Sequence, residues 1–241
     1  MDQCWAKVLG DCHGKITGEH IVSKNLFTGP NLLVTGTPWA EGQTVSIRLD
    51  EFVSPILCEK HNNLLSRKVD KEGGSAFKTI LEADIFLSHV KKDDPPQILQ
   101  YKINGHFLER WFIKTAINIF VSDHKDQPWI NDQGVSDCPL MLAEAAFGRR
   151  ALKYPMGLYN YAGTEVGQQK IVKGELGFSP IYLDNKFSGA HFLFAGLDFI
   201  IWFSDQELPW VNLRQFHHHM GGIFKAHQTQ ADLKIQWIKK S

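Results

Sequence analysis

The cysteines of this chain are unevenly spaced. Cys4, Cys12 and Cys58 lie in its first quarter, whereas Cys138 stands apart from them. His61 follows Cys58 after two intervening residues, and a Cys-x2-His pair is typical of two ligands that one short turn directs at a metal ion. Cys4 and Cys12 form a second pair, with a longer spacing in the sequence than that of Cys58 and His61. This spacing predicts a structural zinc site made of three cysteines and one histidine.

The alternative is that Cys12 and Cys58 are ordinary buried thiols. Free cysteine packs as a small hydrophobic residue, so its burial alone does not require a metal. Because three cysteines and His61 fall into two short stretches, we favour the shared ligand set.

The same stretches carry a second pattern. Residues Glu19 to Val22 read Glu-His-Ile-Val, and Asn62 directly follows His61. With these motifs the chain resembles the zinc-containing HNH, or ββα-metal, endonucleases over roughly residues 1–75. In that family an acid-His-apolar-apolar stretch lies on a strand, and a Cys-x2-Cys-Asn or Cys-x2-Cys-His stretch opens a helix. His61 stands where the last zinc cysteine usually stands.

The resemblance implies hydrolysis of phosphodiester bonds. Such a reaction needs a base to activate water, and His20 fits because histidine titrates near neutral pH. Charge that builds on the phosphate is met by a hard cation, here Mg²⁺ or Mn²⁺. The resemblance implies that Glu19 and Asn62 hold this ion, and Asp70 is an alternative to Glu19. The zinc would then be structural and the second ion catalytic.

The chain departs from the family pattern in two ways. Ser23 stands where many members have proline, and the interval from His20 to Asn62 is long for a two-strand hairpin. The insert, residues 27–55, contains alternating residues at 45–49 and is expected to add a strand of its own.

The middle asparagine of the family motif is not fixed by the sequence. Asn31 is the first choice and Asn25 the second, although asparagines beside glycine and proline are commonly turn residues.

Length and composition are those of a folded protein. With 241 residues, 43% of them hydrophobic, the chain can form one large domain or two small ones. Its first residues lack the pattern of a signal peptide, and the longest apolar stretch, residues 191–203, is too short to cross a membrane. Since the cysteines are expected to be ligands and not disulfides, we expect a cytoplasmic protein without a membrane partner.

The segment from 91 to 97, KKDDPPQ, predicts a linker, because prolines and paired charges end helices. It divides an HNH-like zinc and nuclease domain, residues 1–90, from a recognition or partner-binding domain, residues 98–241. The expected fold class is α+β: a zinc-stabilised ββα-metal unit, then helices on one side of a mainly antiparallel sheet.

Periodicity predicts the elements of each part. A Glu-Gly-Gly break at 72–74 should precede a helix over 75–89. The strongest helix spans 104–122. Its Glu109, with Arg110 or Lys114, is expected to form a surface pair, and a role of these residues in a functional site is the alternative. A further helix is predicted over 139–152. Strands are predicted over 174–184, 190–195, 197–204 and 233–238.

The formal net charge of zero leaves only local patches for contact with nucleic acid. One patch surrounds the helix predicted over roughly residues 61–69 and consists of Lys60, Arg67, Lys68, Lys71 and Lys78. The other lies near the C-terminus and consists of Arg214, Lys225, Lys234, Lys239 and Lys240. Interleaved acids also allow the first to be a plain solvated helix face. Consecutive residues point in different directions, so the triplet 217–219, three histidines, is expected to be a polar loop or a phosphate-facing patch and not a metal site.

These features predict a metal-dependent HNH endonuclease that acts on nucleic acid, with DNA favoured. Defence against phage is one context for such an enzyme, and residues 98–241 could bind a protein partner or a second copy. The alternatives are a noncatalytic, zinc-stabilised module that binds nucleic acid or protein, and a scaffold closed by the zinc site.

Overall fold

The computed structural model describes residues 3–27, 29–37, 40, 42–122, 138–161, 175–184, 186–194, 197–208, 213–215, 221–226 and 228–237. The histidine triplet at 217–219 lies outside these residues.

The described chain alternates strands with a few helices. The strands are β1 (Ile16–His20), β2 (Asn31–Thr35), β3 (Thr44–Arg48), β4 (Val53–Cys58), β5 (Ile98–Asn104), β6 (Gly157–Tyr161), β7 (Glu175–Leu183), β8 (Lys186–Phe194), β9 (Leu197–Trp202), β10 (Leu213–Gln215), β11 (Gly221–Ala226) and β12 (Thr229–Gln236). The helices are α1 (Glu59–Leu65), α2 (Lys71–His89), α3 (Gly105–Ser122) and α4 (Leu140–Ala146).

A strand, strand and helix unit contains the predicted motifs. Strands β1 and β4 pair antiparallel, with Ile16 opposite Cys58 and His20 opposite Val53. Helix α1 begins at the residue after Cys58, where the chain leaves β4. The end of β4 and the first turn of α1 are therefore adjacent, with no loop between them.

The insert between β1 and β4 contributes two strands instead of the expected one. Strands β2 and β3 pair antiparallel, and β2 also pairs parallel with β7. Leu32 and Val34 of β2 are buried, as alternation on a one-sided strand requires. The insert is thus part of the large sheet.

Two sheets make up the rest of the fold. The larger has seven described strands in the order β10-β6-β9-β8-β7-β2-β3, and β2 with β7 is its one parallel pairing among them. The smaller has the order β11-β12-β5, with β12 and β5 parallel. The strands predicted near 174–184, 190–195, 197–204 and 233–238 are confirmed as β7, β8, β9 and β12. The α+β class is confirmed at this level.

Helix α3 lies at the centre of the core. The ring of Phe112 is 4.7 Å from that of Phe199 in the large sheet, and Trp111 is 4.9 Å from Phe77 of α2. Residues on both sides of 91–97 belong to one hydrophobic cluster. The two predicted parts are packed on each other in this way, and the domain boundary itself stays a prediction.

Three local expectations about helices were wrong. Glu109 and Lys114 are both buried, so they are not a surface pair. Helix α2 runs through the predicted break. Glycine at position 73 allows close packing inside the helix instead of ending it, since a Cβ there would lie 2.5 Å from Trp111 Cδ1. Helix α4 ends at Ala146, short of the predicted end at 152.

Within the described part of the chain, no helix combines the length and the apolar character that crossing a membrane requires.

Candidate metal centre and the buried ion cluster beside it

Four predicted ligands meet where the hairpin joins α1. Their ligand atoms all lie within 4.8 Å of one another. His61 Nδ1 is 3.2 Å from the sulfur of Cys58, 3.5 Å from that of Cys4 and 3.6 Å from that of Cys12. Three sulfurs and one imidazole nitrogen are a donor set of structural zinc sites. The cluster can hold a metal ion such as zinc.

The local chain conformation brings these ligands together. Cys4 precedes a 3-10 turn at Trp5–Leu9, and Gly10, with φ of 74°, turns the chain back so that Cys12 faces the same point. Glycine adopts this left-handed conformation without the strain that a Cβ would add. His61 lies in the first turn of α1, beyond Cys58 at the end of β4.

The thiols differ in how readily they ionise without a metal. Burial raises the pKa of Cys4, and burial together with the neighbouring Cys4 and Cys58 raises the pKa of Cys12 to about 12. Burial also acts to raise the pKa of Cys58, but hydrogen bonds from the backbone of His61 and His13 lower it overall. Metal binding requires thiolates and therefore releases protons.

Asp11 orients the ligand histidine. Its Oδ1 lies 2.9 Å from His61 Nε2, and its Oδ2 lies 2.8 Å from Lys60 Nζ and 2.7 Å from Arg149 Nη2. The hydrogen bond from Lys60, followed by that from Arg149, holds the pKa of Asp11 well below its usual range. With the proton of the neutral imidazole on Nε2, the carboxylate accepts a hydrogen bond from it, and Nδ1 is left to bind the metal. No sequence motif marks Asp11 for this role, although it directly precedes Cys12.

An aromatic side chain from far along the sequence covers the cluster. The ring of Phe147, which follows α4, lies 5.0 Å from that of His61 and 5.7 Å from that of Trp5. This packing places an apolar group beside the ligands, and it also ties the N-terminal turn to the end of α4.

Neighbouring residues of β1 differ sharply in exposure. Glu19 is 2% exposed, whereas His20 is only half-buried. The Glu19 carboxylate forms an ion pair with Nζ of Lys114, which is 0% exposed. Nζ also lies 2.8 Å from Oδ1 of Asp70, the last residue of a π-helical turn between α1 and α2. A lysine of α3 therefore joins the hairpin to the helix pair.

The charges of this cluster are coupled. Burial raises the pKa of Glu19 and the positive charge of Lys114 acts against it. For Lys114 burial works against the ammonium, but attraction to the carboxylates of Glu19 and Asp70 raises its pKa overall. Lys114 is therefore a buried ammonium ion held by acids.

Helix α3 also fixes the backbone of His20. Asn118 Nδ2 lies 3.3 Å from the carbonyl oxygen of His20, and Lys114 Nζ lies 3.5 Å from the same oxygen. Asn118 Oδ1 in turn accepts a hydrogen bond of 3.1 Å from Trp5 Nε1. Burial, then the positive charges of Lys114 and Lys24, lower the pKa of His20. Its imidazole is neutral at neutral pH.

Asn62 connects α1 to β1. Its Nδ2 donates to Thr17 Oγ1 and to the carbonyl of Gly18, both at 2.9 Å, and its Oδ1 accepts from Ser66 Oγ at 3.1 Å. Its side-chain carbonyl retains one further acceptor position. The predicted zinc ligands are the one group of three or more His, Cys, Asp or Glu within ligand distance among the described residues.

Ser23 and Asn25 support Asp70. Ser23 Oγ donates to Asp70 Oδ1 and accepts from Trp111 Nε1 at 2.7 Å, whereas Asn25 Nδ2 donates to the backbone carbonyl of Asp70 at 3.2 Å. Ser23 thus has a hydrogen-bonding role. Asn31 is exposed at the start of β2.

Comparisons with protein-family models, with curated proteins and with solved structures found no match for this chain.

Proposed function

We propose that this chain is an HNH-like endonuclease that hydrolyses phosphodiester bonds in nucleic acid. The observation that carries the proposal is the arrangement of β1, β4 and α1 around a three-cysteine, one-histidine cluster, with His20 at the end of β1. A zinc ion in the cluster would hold the helix against the hairpin. Residues of the predicted motif would then share one small unit.

In this proposal His20 is the general base. It is half-buried, so it remains in contact with solvent, and its lowered pKa favours a neutral imidazole that can take a proton from water. The hydrogen bonds from Asn118 and Lys114 to its carbonyl oxygen fix the strand at this residue. A fixed base loses less freedom when the reaction begins.

A divalent cation completes the proposed reaction. Mg²⁺ or Mn²⁺ would neutralise charge on the phosphate and on the leaving oxygen. The sequence motif assigns its binding to Glu19 and Asn62, and this assignment stays a prediction. Glu19 is paired with Lys114, so an ion bound to that carboxylate would have to take the place of the ammonium group.

The proposed substrate is nucleic acid, with DNA favoured. Arg67, Lys68 and Lys71 are exposed along the turn that joins α1 to α2, where they can contact phosphates. Lys60 and Lys78 of the same predicted patch are engaged with Asp11 and Glu82. Defence of a bacterial cell against phage is a context that suits such an enzyme.

The test is a survey of substrates and ions with zinc-loaded protein. Supercoiled DNA, linear DNA and structured RNA are incubated with Mg²⁺, with Mn²⁺ or with neither. The proposal predicts cleavage of at least one substrate that depends on the added ion. If every substrate stays intact under all conditions, the proposal is contradicted.

A noncatalytic, zinc-stabilised binding module is the second candidate. One observation favours it: the acid of the motif is buried against Lys114, where its charge is already balanced. Such a module would bind nucleic acid with an affinity that falls as salt is raised, and no ion would make it cleave.

A further inference from the structure

Lys114 Nζ is surrounded by oxygen atoms. It contacts Oε1 of Glu19, lies 2.8 Å from Oδ1 of Asp70 and lies 3.5 Å from the carbonyl oxygen of His20. Two carboxylates and a backbone carbonyl are the kinds of ligand that hard divalent cations take from proteins. The ammonium group therefore occupies an environment that suits a metal ion.

Full burial is rare for a lysine, and it depends on partners for the ammonium group. Lys114 is 0% exposed and lies in the middle of α3, among Trp111, Ile113 and Ile117 of the core. Taking its charge out of water is unfavourable, and only close opposite charges can offset this. The acids and the lysine are thus mutually dependent.

We propose that Lys114 is the resident cation of a site formed by Glu19, Asp70 and the carbonyl of His20, and that its ammonium group and a divalent cation exclude each other there. This inference does not rest on the proposed nuclease activity. It concerns which positive charge the two acids hold.

Mutual exclusion follows from size and charge. A divalent ion lies about 2.0–2.6 Å from its oxygen ligands. Asp70 Oδ1 lies 2.8 Å from Lys114 Nζ, so an ion bound to the same oxygens would take nearly the same position as the ammonium group and overlap with it. Two cations at such a short distance repel strongly where little water screens them. Glu19 is 2% exposed and the Asp70 side chain 14%, so screening is weak and Asp70 offers the route from solvent.

The experiment replaces the ammonium group and measures metal binding without nucleic acid. Zinc-loaded wild type and Lys114→Met are titrated with Mn²⁺, and free Mn²⁺ is followed by electron paramagnetic resonance. We expect the variant to bind Mn²⁺ at this site roughly tenfold or more tightly than the wild type, because two carboxylates are released. The double variants Lys114→Met with Glu19→Gln and Lys114→Met with Asp70→Asn should lose this tighter binding.

Removal of Lys114 leaves two acids unpaired and lowers stability, so thermal unfolding provides a second readout. Mn²⁺ should raise the Tm of Lys114→Met and leave that of the Lys114→Met, Glu19→Gln protein unchanged. The proposal is overturned if Lys114→Met gains neither Mn²⁺ binding nor Mn²⁺-dependent stability. It is also overturned if the wild type binds Mn²⁺ as tightly as the variant and loses this binding on Glu19→Gln substitution.

Because these readouts involve no substrate, they are independent of the cleavage survey. If the wild type cleaves no substrate but Lys114→Met gains Mn²⁺ binding, the nuclease proposal is contradicted and the proposal for Lys114 is supported. If the wild type cleaves but Lys114→Met gains no Mn²⁺ binding, the nuclease proposal is supported and the proposal for Lys114 is contradicted.

Discussion

Asp11 and His61 form a hydrogen bond that directs the ring of the histidine. His61 Nε2 lies 2.9 Å from Asp11 Oδ1, and the opposite ring nitrogen, Nδ1, faces the three cysteine sulfurs. A carboxylate behind a ligand histidine fixes the position of its proton and strengthens the bond to the metal. The candidate metal site therefore includes Asp11 in addition to its four ligand residues.

Substitution of Asp11 should weaken zinc binding without removing a ligand. We expect Asp11→Ala to lower zinc affinity by about 10–100-fold, measured by competition with a chromophoric chelator. Asp50→Ala is the matched control, because Asp50 is exposed and its partner is Arg48. Equal zinc affinities for the two variants would contradict an orienting role for Asp11.

Three of the four cysteines should be metal ligands, and Cys138 should not be one. Cys58→Ala removes the ligand whose sulfur lies 3.2 Å from His61 Nδ1, so purified protein should lose its zinc and much of its stability. Cys138→Ala should retain one zinc per chain, because Cys138 lies outside the cluster, next to Pro139. Atomic absorption measures both. A zinc-free Cys138→Ala protein, or a zinc-loaded Cys58→Ala protein, would refute the ligand assignment.

The metal cluster and the strands β7, β8, β9 and β12 could be predicted, because each leaves a short-range pattern in the sequence. Cys58 and His61 are one helical turn apart, and β7, β8 and β9 are dense in aromatic and β-branched residues. The parallel pairing of β2 with β7 joins residues such as Leu33 and Glu175, and no local pattern encodes so distant a contact.

The sequence of α3 indicates that Lys114 is buried, although a surface pair with Glu109 was the expectation. Helix α3 is apolar on more than one face, so a charged residue within it has a high probability of burial and needs an opposite charge nearby. That argument predicts a partner for Lys114. It does not identify Glu19 and Asp70, because only the tertiary packing of α3 against β1 and the π-helical turn brings them together.

Gly73 should be intolerant of a side chain. An exposed helix glycine replaced by alanine usually gains about 1 kcal/mol of stability, but a Cβ at this position would lie 2.5 Å from Trp111 Cδ1. We expect Gly73→Ala to lower the free energy of unfolding by about 1–3 kcal/mol through overpacking. Ser75→Ala, at an exposed position of the same helix, should be neutral or slightly stabilising. Denaturant unfolding compares them, and a stabilised Gly73→Ala protein would refute the close packing.

The pH dependence of cleavage should report the lowered pKa of His20. The neutral imidazole is the active form of a base, so activity should rise with pH, with a midpoint below the ordinary histidine value of about 6.5. Lys24→Met removes a nearby positive charge. Its removal favours the protonated ring, raises the pKa of His20 and should move this rise in activity to higher pH. The shift should be small, because Lys24 is exposed and salt screens it. A rise centred above the ordinary value in the wild type would contradict this account.

The most direct test of the proposed function compares two histidine variants in the cleavage assay, each confirmed to carry one zinc and to unfold like the wild type. His20→Ala removes the proposed base, whereas His89→Ala removes an exposed histidine at the end of α2. We predict that His20→Ala lowers the rate of ion-dependent cleavage by about 100-fold or more and that His89→Ala cleaves at the wild-type rate. Cleavage by His20→Ala at the wild-type rate, or no cleavage by the zinc-loaded wild type, would contradict the account.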